Sequence, residues 1–403
     1  MTPLPRPDDR PLTNIRVLDV ASFVAAPMAA MWLADFGADV VKVEHPRGDM
    51  VRSWGSTKDG VPLFWKVLSR NKKSVTLDLH KPKGQALLKR LVEKADVLVE
   101  NFRTGTMAAW GLDYPHLAEV NPRLVMLSIT AFGQYGPYSH RAGFGTLAEA
   151  MSGYANVTGE PDGPPLLPGF PLADAVAGLC GAYEVMVALH ERDTRTGRGQ
   201  WIDLALYEPL MTMLGHQFID YDQLGLVAER MGSRLPFAAP RNTFRTKDGR
   251  WIAISSSSQS VFERTCRAIS RPDLITDVRF ADNPARTRNH EVIDGILAEW
   301  IGAHTADDVL TVLNEAGAAA APVYDVRDVF RDPHFEARQN IVTIPDAELG
   351  DVRMQNVAGR LSRTPGRIDH AGPRLGEHTA TIYGHLLGLT EADLEALRRE
   401  QVI

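Results

Sequence analysis

Short runs of aliphatic and β-branched residues alternate with helical segments through the first half of the chain. Ile15–Val20 leads through Ala21–Ala26 into a helical stretch, Pro27–Phe36, which Gly37 stops. Ala38–Glu44 is the next strand. The pattern continues with Ser74–Leu79, Asp96–Glu100, Leu124–Ile129 and Trp201–Leu206, separated by helical segments such as Lys81–Lys94, where Leu87, Leu88, Leu91 and Val92 fall at helical spacing. Strand-helix-strand alternation of this kind predicts an α/β fold with a parallel, Rossmann-like sheet. In open sheets of this type, ligands bind beyond the carboxyl ends of the strands. The residues there are Phe23–Ala26, His45, Asn101–Arg103 and Thr130–Gln134.

The first strand-helix turn has no G-x-G-x-x-G, so the dinucleotide fingerprint is missing. Phe23, Val24, Ala25 and Ala26 stand in its place, mostly small residues that let a ligand approach the backbone. A Walker A loop, a G-x-S-x-G elbow, an H-E-x-x-H pair and paired metal-ligand cysteines are absent too. Basic residues gather beside the strand ends: His45, Arg47, Arg52, Arg70, Lys72, Lys73, Arg103 and Arg141. Singly these are surface charges; together they suit a polyanionic ligand such as a nucleotide.

With 403 residues the chain exceeds one ordinary core. We expect a large domain over 12–225, a smaller α+β domain over 226–325, and a return to the large domain over 326–403. The smaller one carries a hairpin around Asp248-Gly249 and several helices. A formal net charge of −6 argues against nucleic acid as the main partner. Two cysteines, Cys180 and Cys266, cannot build a disulfide framework and fit a reducing compartment. Met1–Leu12 is polar and proline-rich, unlike a signal peptide or anchor. The most apolar run, Ala173–Leu189, is shorter than the roughly 20 residues of a membrane span and reads as a buried helix. A cytoplasmic protein without membrane partners is expected.

Pro168–Pro171 form a Pro- and Gly-containing loop, and Asp174 opens this apolar run. An Asp there is first of all a helix N-cap.

Several segments together resemble the family III CoA-transferases, which include formyl-CoA transferase, carnitine and bile-acid CoA-transferases and racemase relatives. They are Ile15–Asp19, Gly37–Glu44, Asn71–Val75, Asp96–Arg103, Asn121–Leu124, Thr196–Gln200 and Leu375–Thr379. The resemblance implies a large Rossmann-like domain built from both chain ends, a small middle domain, and an interlocked homodimer. It implies coenzyme A, as an acyl-CoA substrate and not a resident cofactor, with a small carboxylic acid as second substrate and no metal.

The family's nucleophilic Asp is matched by Asp174, in the context Leu172-Ala173-Asp174. It would attack the thioester and pass through aspartyl anhydride and aspartyl-CoA intermediates. For CoA, Phe23, Val24 and Ala25 match the first loop, His45 the nucleotide end, Leu77 and His80 the adenine neighbourhood, Asn101, Phe102 and Arg103 the phosphate and pantetheine loop, and Arg141 a basic residue before the active site. Relatives often carry Arg where His45 and Ala109 stand. CoA's phosphates are then expected on Arg47, Arg103 or Lys73.

The family's racemases carry a His-Asp pair where this chain has Phe144-Gly145, which leaves 2-methylacyl-CoA racemisation as the alternative activity. A CoA-binding protein without catalysis is a further alternative. The run Gly143–Gly153 most resembles members that move CoA between dicarboxylic acids. Glu149, inside it, is a second site candidate whose ordinary role would be an exposed helix charge.

Overall fold

The computed structural model describes residues 10–403. The expectation for Met1–Leu12 therefore lies almost wholly outside the described residues. The alternating runs form one six-stranded sheet: β1 (Arg16–Asp19), β2 (Asp39–Glu44), β3 (Lys72–Thr76), β4 (Val97–Glu100), β5 (Val125–Thr130) and β6 (Trp201–Ala205). Their order is β3-β2-β1-β4-β5-β6, and every pair is parallel. This is a doubly wound sheet whose order reverses between β1 and β4, and a ligand crevice is expected beyond their carboxyl ends.

Successive residues of each strand point to opposite faces, so each strand feeds two cores. On one face Val17, Val99, Leu127 and Ile129 meet α1 (Ala25–Asp35) and α4 (Leu172–Glu191). On the other, Leu18, Val41, Leu98 and Met126 meet α2 (Pro82–Val92), whose Leu87, Leu88, Leu91 and Val92 are buried. Each fully buried aliphatic side chain contributes about 1.5–3 kcal/mol. α1 and α4 approach closely because small residues face each other. A Cβ added to Gly178 would lie 2.7 Å from the Ala25 carbonyl oxygen.

Two local expectations change. β3 begins at Lys72, not Ser74, because its ladder with β2 starts at the pair Val40 and Lys72. After β6 come α5 (Tyr207–Met213) and α6 (Gln217–Leu224), separated at Gly215 with φ 62°. α4 is 20 residues long, so by length and composition it could span a membrane. It is also not wholly buried: its Ala/Gly face packs inward while Leu179, Tyr183, Met186 and Val187 are exposed.

The described residues fall into two compact units, one of 10–154, 167–219 and 336–403 and another of 155–166 and 220–335. The first also holds α3 (Gly145–Met151) and a hairpin of β10 (Ile341–Asp346) and β11 (Gly350–Gln355). Its C-terminal segment returns to the sheet edge, where His378 N donates to Ser74 O at 2.8 Å and the Tyr383 hydroxyl to Thr76 O at 2.8 Å. The second unit has the antiparallel sheet β9-β8-β7, of β7 (Arg241–Arg245), β8 (Trp251–Ser255) and β9 (Ala320–Pro322), with Gly249 turning at φ 80° between β7 and β8. Helices α7 (Gln259–Ala268), α8 (His290–Gly302) and α9 (Ala306–Glu315) pack on a core of Phe244, Ile252, Phe262, Phe280 and Leu297.

Candidate active site

Asp174 lies in the first turn of α4, two residues inside the helix, and is not its N-cap: Pro171 holds that position and no side chain caps the end. The helix starts early because Ala175 N already donates to Pro171 O at 2.9 Å. The Asp174 carboxylate is half-buried and accepts from its own N–H and from Ala25 N–H. Burial, then the negative charge of Glu149, push its pKa up to about 6 against those two donors. A carboxylate of that pKa is roughly nine-tenths ionised at pH 7 and more basic than an ordinary one.

The cavity in front of it measures about 690 Å³. Phe23, Trp54 and Phe144 form an aromatic wall, with ring centroids 5.2 Å and 5.6 Å from Phe23. Leu167–Pro171 close another side. Gly145 is required here: a Cβ on it would lie 2.1 Å from Asp174 Oδ2. Glu149 is not an exposed helix charge. It is 4% exposed, lines the same cavity, and its Oε1 accepts from Ala173 N at 3.1 Å.

A second, smaller cleft of about 70 Å³ lies along the same first loop. It gathers His45, Leu77, His80 and Phe102, with Trp110. Trp110 stands edge-on to His80 and to Phe102, with centroids 5.1 Å apart in each pair. Asp78, absent from the sequence reading, holds His80 through Oδ1, 3.0 Å from both the ring Nδ1 and the backbone N. Burial, helped by Arg47, His80 and Lys81, draws the His45 pKa down despite Asp78. His45 thus offers a largely neutral ring at neutral pH.

The remaining expected contacts divide. The Asn101 amide is engaged with Ser22, accepting from its N–H at 2.8 Å and donating to its carbonyl at 2.6 Å, so it holds the first loop. Arg103 is exposed and lines a third cavity of about 310 Å³ with Glu100, Ser128 and Trp201. Arg141 is exposed and lies over the Tyr138 ring at 3.7 Å, outside the lining of the Asp174 cavity. Most of the other basic residues are structural. Arg52 pairs with Glu44, Arg70 with Asp35, Lys72 with Asp19 and Lys73 with Asp39.

Beneath the first loop lies a buried charge network, in which Lys72 is an ion-pair partner and not an anion binder, and whose other members the sequence did not single out. Lys42 is buried against Asp19 (3.4 Å) and Asp49 (3.1 Å) and donates to Ala21 O. Lys72 reaches Asp19 (2.9 Å) and Pro27 O (2.6 Å). Burial pulls the Lys42 ammonium down, but Asp19, Asp49 and Glu44 outweigh it and hold it up at about 12. Asp49 also accepts from Phe23 N at 3.3 Å, where the backbone takes φ 63°. That left-handed conformation is costly for a bulky residue, and the network beneath holds it. Asp49 and Lys42 are far apart in local pattern from Phe23, so only the fold could bring them together.

Comparison with known proteins decides the family. The sequence pattern of "CoA-transferase family III" matches residues 12–379. The chain belongs to this family. It is 44% identical over 396 residues to succinyl-CoA–D-citramalate CoA-transferase of Chloroflexus aurantiacus, covering 98% of each chain. It is 36% identical to succinate–glutarate CoA-transferase of Agrobacterium fabrum, covering 93% of this chain and 96% of that one. A crystal structure of a CAIB/BAIF family protein from Brucella suis superposes with a TM-score of 0.83 at 36% identity, over 94% of this chain and 99% of that one. This protein is a CoA-transferase, and its substrates are CoA thioesters.

Proposed function

We propose that this CoA-transferase moves CoA from a succinyl-type dicarboxylic acyl-CoA to a second small dicarboxylic acid, with Asp174 as nucleophile. The carrying observation is the Asp174 carboxylate itself, half-buried at an aromatic-walled cavity yet ionised at neutral pH. An Asp174 oxygen attacks the thioester carbonyl carbon. A C–O bond forms, the C–S bond breaks, and sulfur leaves with the electron pair as CoA thiolate. CoA thiolate then attacks the Asp174 carbonyl carbon of the mixed anhydride, which forms aspartyl-CoA and releases the donor acid. The acceptor carboxylate attacks that thioester, expelling CoA thiolate and forming a second anhydride, and the thiolate attacks the acceptor's acyl carbon, releasing the new acyl-CoA and the Asp174 carboxylate. No proton and no oxidant enters the balance. Splitting one exchange into several acyl transfers lowers each barrier.

The two clefts along the first loop support a CoA orientation. His45, Leu77, His80, Phe102 and Trp110 form the aromatic corner for the adenine, and Phe23, Val24 and Ala25 carry the pantetheine arm toward Asp174. Arg47 and Arg103, both exposed, are the candidates for the phosphates, with exposed Arg141 as a further one. The lack of room beside Gly145 speaks against a racemase, which needs an acid/base group on each side of the α-carbon. Names of the relatives, acting on succinyl-CoA with citramalate or on succinate with glutarate, support the dicarboxylate choice.

The apolar outer face of α4, with Leu179 51% and Tyr183 68% exposed, supports burial against a second copy in an interlocked dimer. Two unpaired cysteines suit a cytoplasmic setting.

The test is incubation with succinyl-CoA and neutral hydroxylamine, followed by peptide mass analysis. A hydroxamate on Asp174, and loss of turnover in Asp174→Ala, are expected. No adduct together with full activity of Asp174→Ala overturns the proposal. A panel of acyl-CoA donors against mono- and dicarboxylic acids checks the substrate class.

A further inference from the structure

The Asp174 cavity holds a second carboxylate, and no cation lines it among the described residues. Its lining contains two titratable side chains, Asp174 and Glu149, among aromatic, aliphatic, Pro, Gly and Thr residues. Glu149 sits on α3, which packs against α4 and α5. At 4% exposure it is the kind of buried acid that proteins keep only when it is paired or put to use. Its Oε1 is fixed by Ala173 N–H, the residue directly before the nucleophile. The Glu149 carboxylate is therefore tied to the same helix turn that carries Asp174.

We infer that Glu149 is a positioning residue: bound to the first turn of α4, it keeps a fixed negative charge beside the Asp174 carboxylate, so that acylation of Asp174 relieves a repulsion built into the resting enzyme. The inference rests on the reading of Asp174 as nucleophile. Two carboxylates in one poorly solvated corner disfavour the doubly charged state. When Asp174 becomes an anhydride or thioester, it loses its charge and the repulsion ends. The anion is thereby made more basic, and a more basic carboxylate is a better nucleophile. The charge is held by a hydrogen bond to the chain, so it cannot swing away to water when the cavity is empty.

Other charges around this turn do not supply the same effect. α1 brings no titratable group to it; Asp35, at the far end of α1, pairs with Arg70. Glu208 on α5 accepts from Ala205 N at 2.8 Å, and Glu184 on α4 faces Cys180. Of these acids, Glu149 is the one whose charge acts on Asp174.

The test is the pH profile of kcat/KM for succinyl-CoA in the parent and in Glu149→Gln. Gln keeps an oxygen to accept from Ala173 N–H and removes the charge. The acidic limb of the parent, which reports ionisation of Asp174 near pH 6, is expected to move down by about one pH unit, with a plateau about tenfold lower. A purely structural role would move neither. Glu149→Met, similar in length, carries the same expectation for the limb if the Gln variant does not fold. Hydroxylamine trapping on the parent separates the two readings. An adduct on Asp174 with an unmoved limb and plateau in the folded variant overturns the role of Glu149 alone. No adduct on Asp174 in the parent overturns both.

Discussion

Two groups of buried charge lie on either side of the loop at residues 21–25. Below it, Lys72, Asp19, Lys42 and Asp49 alternate in sign and are within 3.4 Å of one another in successive pairs. Above it, Asp174 and Glu149 carry the same sign, and no cation among the described residues lines their cavity. Burial penalises the charged form in both places, but the outcome differs. Asp19 is pulled below the ordinary carboxylate range because Lys42 and Lys72 overcome its burial. Asp174 is pushed above that range because burial and Glu149 act together. Matched buried charge builds a foundation, while unmatched buried charge raises the basicity of a carboxylate.

Breaking a matched pair should produce the largest effect on the fold. Lys72→Met removes an ammonium with no exposure to solvent and leaves Asp19 with Lys42 alone. We expect a loss of about 3–5 kcal/mol in urea unfolding, typical of an uncompensated buried charge. Adding Asp19→Asn should recover part of that loss, since the two side chains share one interaction. A loss below about 1 kcal/mol for the single variant would show that the network is not what holds the loop.

The unmatched region should respond in activity and not in stability. Gly145→Ala places a Cβ 2.1 Å from Asp174 Oδ2, and the carboxylate must rotate away. A displacement of about 1 Å at a reacting atom costs on the order of a hundredfold in rate. Steady-state kinetics should show that fall in kcat/KM while thermal unfolding stays nearly unchanged. Parental kcat/KM would mean that the carboxylate is not held where the structure has it.

How much of this was visible in the chain follows from the range of each interaction. The sheet was legible because buried parallel strands such as Leu124–Ile129 are near-continuous aliphatic runs. The order of the strands was not, since pairing links residues far apart, such as Val17 with Val97. Asp174 was legible as a helix-start acid, and the family resemblance marked it further. Its place inside the first turn was not, because the start is decided by a backbone bond to Pro171. Arg70, Lys72 and Lys73 read as anion binders only because their partners Asp35, Asp19 and Asp39 lie 35, 53 and 34 residues away. Glu149 failed for a different reason: α3 has only seven residues, too short a stretch to reveal which face is buried.

Glu100 sharpens the comparison as an unmatched carboxylate outside the Asp174 cavity. It is 2% exposed, accepts from Phe102 N at 2.7 Å, and makes no ion pair among the described residues. Burial pushes its pKa up to about 7, against the hydrogen bonds from Ser128 and Phe102. The folded protein thus holds a proton on Glu100 where the unfolded chain has lost it. Its contribution to stability is complete below the ordinary glutamate pKa, about 4.5, and is lost as pH rises through about 7. Glu100→Gln cannot ionise and escapes this loss. The stability of the variant relative to the parent should therefore rise between pH 5 and pH 8, by on the order of 2 kcal/mol in urea unfolding. A difference that does not change with pH would place Glu100 with the matched charges, where the surroundings have already settled the carboxylate as an anion.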